Sequence, residues 1–223
     1  MQKRTKLSDR LLPRYSLGEE ITNAITHGIG CMLGIIVLVL CILKSTYKTA
    51  LDMTAVIIYG TSMTLLYAVS CVYHALKPCM GKKVLQVMDH CTIYLLIAGT
   101  YTPVVLIALR PVFPLLGWGL FIFEWSLAAL ATTFTAIDLK KYGALSMVFY
   151  VGLGWAILPF VPQVILVMSI NGFMLLLAGG ISYTIGAILY GIGSKVRWMH
   201  SVFHVFVVLG SILQFLSIYW YVL

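Results

Sequence analysis

The sequence predicts an all-α integral membrane protein, a bundle of seven transmembrane helices with the N-terminus in the cytoplasm and the C-terminus outside. Three observations predict it. First, of 223 residues 61% are hydrophobic and 10% charged, against roughly 25% charged in a soluble domain. A chain of this length folded in water buries only about 70% of its surface, too little to hide that apolar excess. Second, the apolar residues fall in unbroken runs long enough to cross a bilayer core, which takes about 20 helical residues. A transmembrane barrel would instead alternate apolar and polar residues over strands of about ten. Third, Lys and Arg are shared unequally between alternate connections.

Taken in order, the runs are about Ile21 to Leu43, Met53 to Leu76, Val84 to Leu109, Val112 to Ile137, Gly143 to Phe160, Gly172 to Gly191 and Trp198 to Tyr221. The first exceeds the roughly 7 to 15 residues of a signal-peptide core, so it reads as a retained helix. Its Gly30 and Gly34 have the small-xxx-small spacing of close helix packing. In the third, Pro103 predicts a kink. Glu124, midway along the fourth, is expected to form an interhelical hydrogen bond. The stretch from Val161 to Asn171 is apolar but broken by Pro162 and Asn171-Gly172, and reads as an outer loop or a helix extension. Tyr219, Trp220 and Tyr221 suit an interfacial aromatic belt. Residues 1–20 are expected to be a basic cytoplasmic segment and residues 21–223 one transmembrane domain, with no solenoid repeat. The five cysteines are odd in number and contain no CxxC, so they read as small buried hydrophobes rather than a disulfide framework.

Counting basic residues sets the orientation. Lys3, Arg4, Lys6, Arg10, Arg14, Lys77, Lys82, Lys83, Lys140, Lys141, Lys195 and Arg197 lie on one side, against Lys44, Lys48 and Arg110 on the other. The richer side is cytoplasmic by the positive-inside rule. This is the reverse of a G-protein-coupled receptor, so no G protein is expected as a partner. The same clustering accounts for the net charge of +8 through orientation and contact with anionic lipid heads, and nucleic-acid binding is not expected. Membrane lipids are the expected partners, in a plasma membrane, of a bacterial cell.

Polar side chains are costly in lipid, so those inside the runs mark where function lies. His74 is near the cytoplasmic exit of the second run, Asp89 and His90 near the start of the third, and His200 and His204 at the start of the seventh. His27, early in the first, reaches the same depth, within about 10 Å of the inner surface at 1.5 Å rise per residue. His200 and His204 are four apart and share a helical face, and Ser70 and His74 repeat that spacing. Three imidazoles with water in the fourth position make a catalytic zinc site, which His74, His200 and His204 supply. Asp89 would orient or deprotonate the water, and Ser70 would hydrogen-bond the water or a substrate carbonyl oxygen. His90 points about 100° away from Asp89 and stays outside the ligand set. Asn23, one turn before His27, is placed to hydrogen-bond it, so both are candidates to support the centre, with packing or headgroup contact as the other reading. Glu19 and Glu20 read as capping carboxylates ahead of the first helix, or as helpers of substrate or metal.

Several of these motifs resemble a known family. They are Glu19-Glu20-Ile21-Thr22-Asn23 with His27, Ser70-Cys71-Val72-Tyr73-His74, Asp89-His90 with the run from Ile93 to Pro103, and His200-Ser201-Val202-Phe203-His204. In this order they look like the bacterial haemolysin III family, which is similar to the progestin and adiponectin receptors and more remotely to alkaline ceramidases. The resemblance implies seven helices and zinc held by His74, His200 and His204, with Ser70 and Asp89 close by. Two functions are then expected as alternatives: a zinc-dependent hydrolase of lipid amides or esters at the inner leaflet, and a non-enzymatic receptor or membrane regulator with a structural zinc. Pore formation, suggested by the family's name, finds no polar stripe to line a channel. Ligand type alone leaves zinc open against other imidazole-binding metals.

Overall fold

A computed structural model describes residues 5–46, 48–193 and 195–223 of the chain. Lys3 and Arg4 of the basic segment lie outside the described residues. Among those described, all regular structure is helical. After a short turn at Leu7–Asp9, the long elements are α1 (Leu17–Ser45), α2 (Ala50–Ala75) and α3 (Met80–Pro103). The third continues as a π-helix over Val104–Leu109 and a last turn, α4 (Arg110–Val112). There follow α5 (Pro114–Ile137), α6 (Gly143–Gly154), α7 (Val161–Gly193) and α8 (Met199–Tyr221). Pro103 lacks an N–H and disturbs the ladder behind it. Six residues of π-helix follow directly on Pro103.

Helix α1 begins four residues earlier than the hydropathy suggests. Ser16 and Glu19 form a reciprocal capping box, so Glu19 and Glu20 belong to the first turn. The helix is amphipathic in the membrane sense. Asn23, His27, Gly30, Gly34, Val37 and Cys41 form its buried stripe, while Ile25, Ile29, Met32 and Ile36 are each about half exposed or more on the other side. The expected close packing is present: a Cβ at Gly34 would stand 2.9 Å from the Thr64 backbone, and one at Gly60 2.7 Å from Leu38 Cα. Helices α1 and α2 therefore approach backbone to backbone.

Six stretches among the described residues are long and apolar enough to cross a membrane, not seven, because residues 143–193 count as a single run of 51 residues. That run is not one rod. Ser169 has φ 64° and ψ 166°, a non-helical conformation that breaks α7. Before it, Ser146 bonds Thr135 near the end of α5 and Trp155 bonds Thr184. After it, the chain packs antiparallel to α8: Gly172 lies against Tyr221, Gly179 against Gly210 and Gln214, and Gly193 against His200. The stretch from Val161 is thus a helix extension that ends in a reversal.

The interior is apolar with satisfied polar links, such as the Tyr67 and Tyr183 hydroxyls, each 2.7 Å from Ser211 Oγ. Glu124 departs from expectation. It is fully buried, yet neither carboxyl oxygen has a hydrogen-bond partner. The neighbouring Tyr101 hydroxyl is already engaged, donating to Gly154 O at 3.0 Å and accepting from Ile157 N–H at 3.2 Å.

Candidate metal centre

The fold brings three helix ends together at one end of the bundle. Helix α2 stops at Ala75 because Leu76 is extended, which leaves His74 in its last turn. Helix α8 starts after Trp198, whose φ of 67° is a left-handed conformation. Glu19 Oε1 accepts the Trp198 N–H at 2.7 Å, so the capping carboxylate of α1 also fixes where α8 begins. His200 and His204 then occupy the first two turns of α8 on one face.

One potential ligand atom from each of His74, His200 and His204 lies within 4.8 Å of the other two. All three residues are buried. His200 Nε2 and His204 Nε2 are 3.1 Å apart, close to the edge of about 3.4 Å that a tetrahedron of 2.0 to 2.1 Å zinc–nitrogen bonds requires. His74 Nδ1 donates to Glu20 Oε2 at 2.7 Å, which leaves Nε2 as the lone-pair nitrogen, buried and without a partner. Orphaned buried polar atoms are rare in native proteins, and one coordinated by a cation is no longer orphaned. The donor set fits a metal ion; the group as it stands could hold one.

Sequence reasoning missed much of what supports this group. Glu20 bonds Lys82 Nζ at 2.6 Å through its other oxygen, and Lys82 also donates to Leu76 O at 2.8 Å. The buried ammonium, the carboxylate and the imidazole thus form a chain that fixes the ring of His74. Glu20 was already a candidate, as a cap or as a helper of substrate or metal, and it shares a helical face with Asn23 and His27. Nothing in the sequence pointed to Lys82, whose approach depends on how the α2–α3 connection folds.

Asn23 is completely buried but does not bond His27. Its Nδ2 makes a long 3.5 Å contact with His74 Nδ1. The reason is geometric, since the α1 face at this level meets the end of α2. His27 stacks on His204 with ring centroids 3.7 Å apart, and neither of its nitrogens has a partner. It packs beside the ligand group and does not join it.

A cavity of about 150 Å³ opens from the centre into the bundle. Its polar end is lined by His27, Ser70, Asp89, His90 and His204, and most of the remainder is apolar, from Ile93 and Leu96 to Phe173 and Leu176. Ser70 is buried and its hydroxyl has no partner. His90, set aside by the angular argument, lines this cavity too, with Nε2 2.9 Å from the Tyr190 hydroxyl and Nδ1 2.8 Å from Gln86 O. Aromatic rings pack against the histidines as well. Tyr15 stacks on His200 at 4.8 Å and lies 5.7 Å from His74, and Tyr73 meets His74 edge-on at 4.6 Å. Burial pushes the Tyr15 phenol well above its ordinary range, and Tyr190, Asp89, Glu20 and Glu19 add to the effect.

Comparison with known proteins gives one answer over most of the chain. The family model described as Haemolysin-III related matches residues 15–215. The chain is 40% identical over 206 residues to Hemolysin-3 of Bacillus cereus, covering 92% of each protein. It is 39% identical over 208 residues to the Hemolysin-3 homolog of Bacillus subtilis strain 168, covering 93% of this chain and 96% of that protein. A more distant animal protein, the monocyte to macrophage differentiation factor of Homo sapiens, is 27% identical over 177 residues, 74% of this chain and 68% of its own. The chain, a multi-pass protein of the plasma membrane, belongs to the haemolysin III family.

Proposed function

We propose that this protein is a zinc-dependent hydrolase of lipid amide or ester bonds, acting at the inner leaflet through His74, His200 and His204. One observation carries the reading: three buried imidazoles offer ligand atoms within 4.8 Å of one another, and one of them, His204, lines an apolar cavity together with Asp89 and Ser70. A structural metal would need no such cavity. In this reading residues 143–193 cross the membrane twice, giving seven crossings with the N-terminus inside.

Bound zinc supplies Lewis acidity, polarising a carbonyl and making water nucleophilic near neutral pH. Glu20 and Lys82 hold His74 in the tautomer that presents Nε2. Asp89 takes the proton from the attacking water and returns it to the leaving amine or alcohol. Ser70 donates its free hydroxyl to the carbonyl oxygen as charge develops there. The apolar part of the cavity receives the hydrocarbon chain and keeps bulk water from the reacting bond.

The test joins metal content to product release. Purified wild-type protein should hold one zinc and release fatty acid from ceramides or acyl esters in vesicles. His74→Ala, His200→Ala and His204→Ala should each lose the metal and the activity. Asp89→Asn should keep the metal and slow turnover by about 10² to 10⁴. Folded, zinc-loaded protein that leaves every lipid amide and ester intact would refute hydrolysis and favour a receptor or membrane regulator with a structural zinc.

A further inference from the structure

The candidate centre has a wall that does not belong to the helical bundle. Residues 5–16 precede α1 and cross the cytoplasmic ends of three other elements. At one end, Thr5 N–H donates to Asp138 Oδ2 at 2.8 Å on the α5–α6 connection. Arg10, buried, donates from Nη2 to Ile137 O at 3.4 Å, a cation placed at the C-terminus of α5. Lys83 of α3 donates to Ser8 O. At the other end, Ser16 is fastened by Glu19 Oε2, which accepts its N–H and its hydroxyl at 2.8 Å each.

Between these fastenings the segment carries one large ring inward. Tyr15 lies nearly parallel to His200, 21° between planes, and also covers His74. Both histidines sit at helix ends on the side of the bundle that this segment crosses, in the last turn of α2 and the first turn of α8. Every fastening of the segment before Leu11 is made to an element that contributes nothing to the three-histidine group. The strap and the ligands are therefore mechanically separable: the one can lift while the others stay in place.

We propose that residues 5–16 are a lid over the centre, with Tyr15 as its closing group, and that a metal ion passes between the centre and the cytoplasm only when this lid lifts. The inference rests on the metal reading given above and adds the route by which the ion is exchanged. Lifting costs the few hydrogen bonds named and the stacking of one ring, with no change in any membrane-spanning helix. Such local opening is cheaper than global unfolding and suits a segment with few buried apolar contacts.

The experiment follows zinc release from the full-length, zinc-loaded protein to excess chelator. Tyr15→Ala removes the closing group, Tyr15→Phe keeps it, and Asp138→Ala removes a fastening remote from the histidines. Release from Tyr15→Ala and Asp138→Ala should be about tenfold faster at unchanged zinc stoichiometry, the lower end of what loss of a supporting contact does at a metal site. Tyr15→Phe should release at the wild-type rate. Equal rates in all four proteins would overturn the lid. A second readout needs no metal: in the stripped proteins, diethylpyrocarbonate should modify His200 faster in Tyr15→Ala and Asp138→Ala than in wild type. Wild-type protein that binds no zinc would remove the metal reading, and His200 reactivity would then decide the lid by itself. Faster modification upholds the covering role, and unchanged modification overturns it.

Discussion

At the scale of single residues, the centre is defined as much by what holds His74 as by the histidines. Its Nδ1 proton is committed to Glu20, and Glu20 is committed to Lys82. Glu20→Gln keeps the size and one hydrogen bond but loses the charge on both contacts. It should weaken zinc affinity about 10- to 100-fold, the usual effect of removing a carboxylate behind a ligating imidazole. Competition with a chromophoric chelator measures this, and unchanged affinity would show that Glu20 only caps α1. The three histidines that the fold groups, and the Ser70 and Asp89 that line the cavity beside them, stood out in the sequence because histidine, aspartate and serine are conspicuous in apolar runs. Glu20 was legible only as one of two alternatives, a cap or a helper of substrate or metal, and Lys82 was not, because a lysine at a membrane boundary looks like an ordinary headgroup contact until its partners are seen.

At the scale of elements, the glycines of α1 were legible, whereas Gly60 of α2 and the N-terminal strap were not. A small-xxx-small pair states its purpose within four positions, whereas the strap is defined by contacts to positions 83, 137 and 138. Gly34→Val would press a branched side chain onto the Thr64 backbone, already 2.9 Å from the Cβ position. It should destabilise the protein by about 1 to 3 kcal/mol, the range for overpacking. A thermal-unfolding series in detergent that includes Gly119→Val, where no atom lies within 4 Å of the added Cβ, checks it; equal losses at both positions would refute the close-packing account. The strap depends on pH through Asp138. Backbone N–H groups of Thr5, Lys141 and Lys140 hold that carboxyl below its ordinary value. A depressed folded-state pKa stabilises fully above the unfolded value of about 3.9 and is lost as pH falls through the folded one. Amide exchange over residues 5–11, corrected for intrinsic rates, should therefore stay slow from neutral pH down to about 4 and rise below it. Protection that persists at lower pH would place the fastening elsewhere.

At the scale of the whole molecule, the run of 51 residues from Gly143 to Gly193 decides the topology. As one straight helix it would be about 76 Å long, against a hydrocarbon core of about 30 Å. The non-helical Ser169 breaks it, and its second half packs antiparallel to α8. Apolarity alone does not mark such a break, because both halves are apolar and the break carries no charge; Pro162 and Asn171-Gly172 are what separated the two runs in the sequence. The basic residues bear on the same question. All three assigned to the outer side are occupied locally: Lys44 donates to Tyr219 O, Lys48 to Val222 O at 3.4 Å, and Arg110 to Leu106 O at 2.9 Å. Cations that satisfy terminal carbonyls have a structural reason to be where they are, so they weigh less against the orientation set by the others. Seven crossings put the two ends of the chain on opposite sides, and six put them on the same side. Alkaline phosphatase fused after Leu223 folds only outside the cytoplasm, where its disulfides form, so it should be active there, and inactive when fused after Lys140. Inactivity at both positions, with the N-terminus shown to be inside, would mean that the run crosses once and would remove the seven-crossing arrangement.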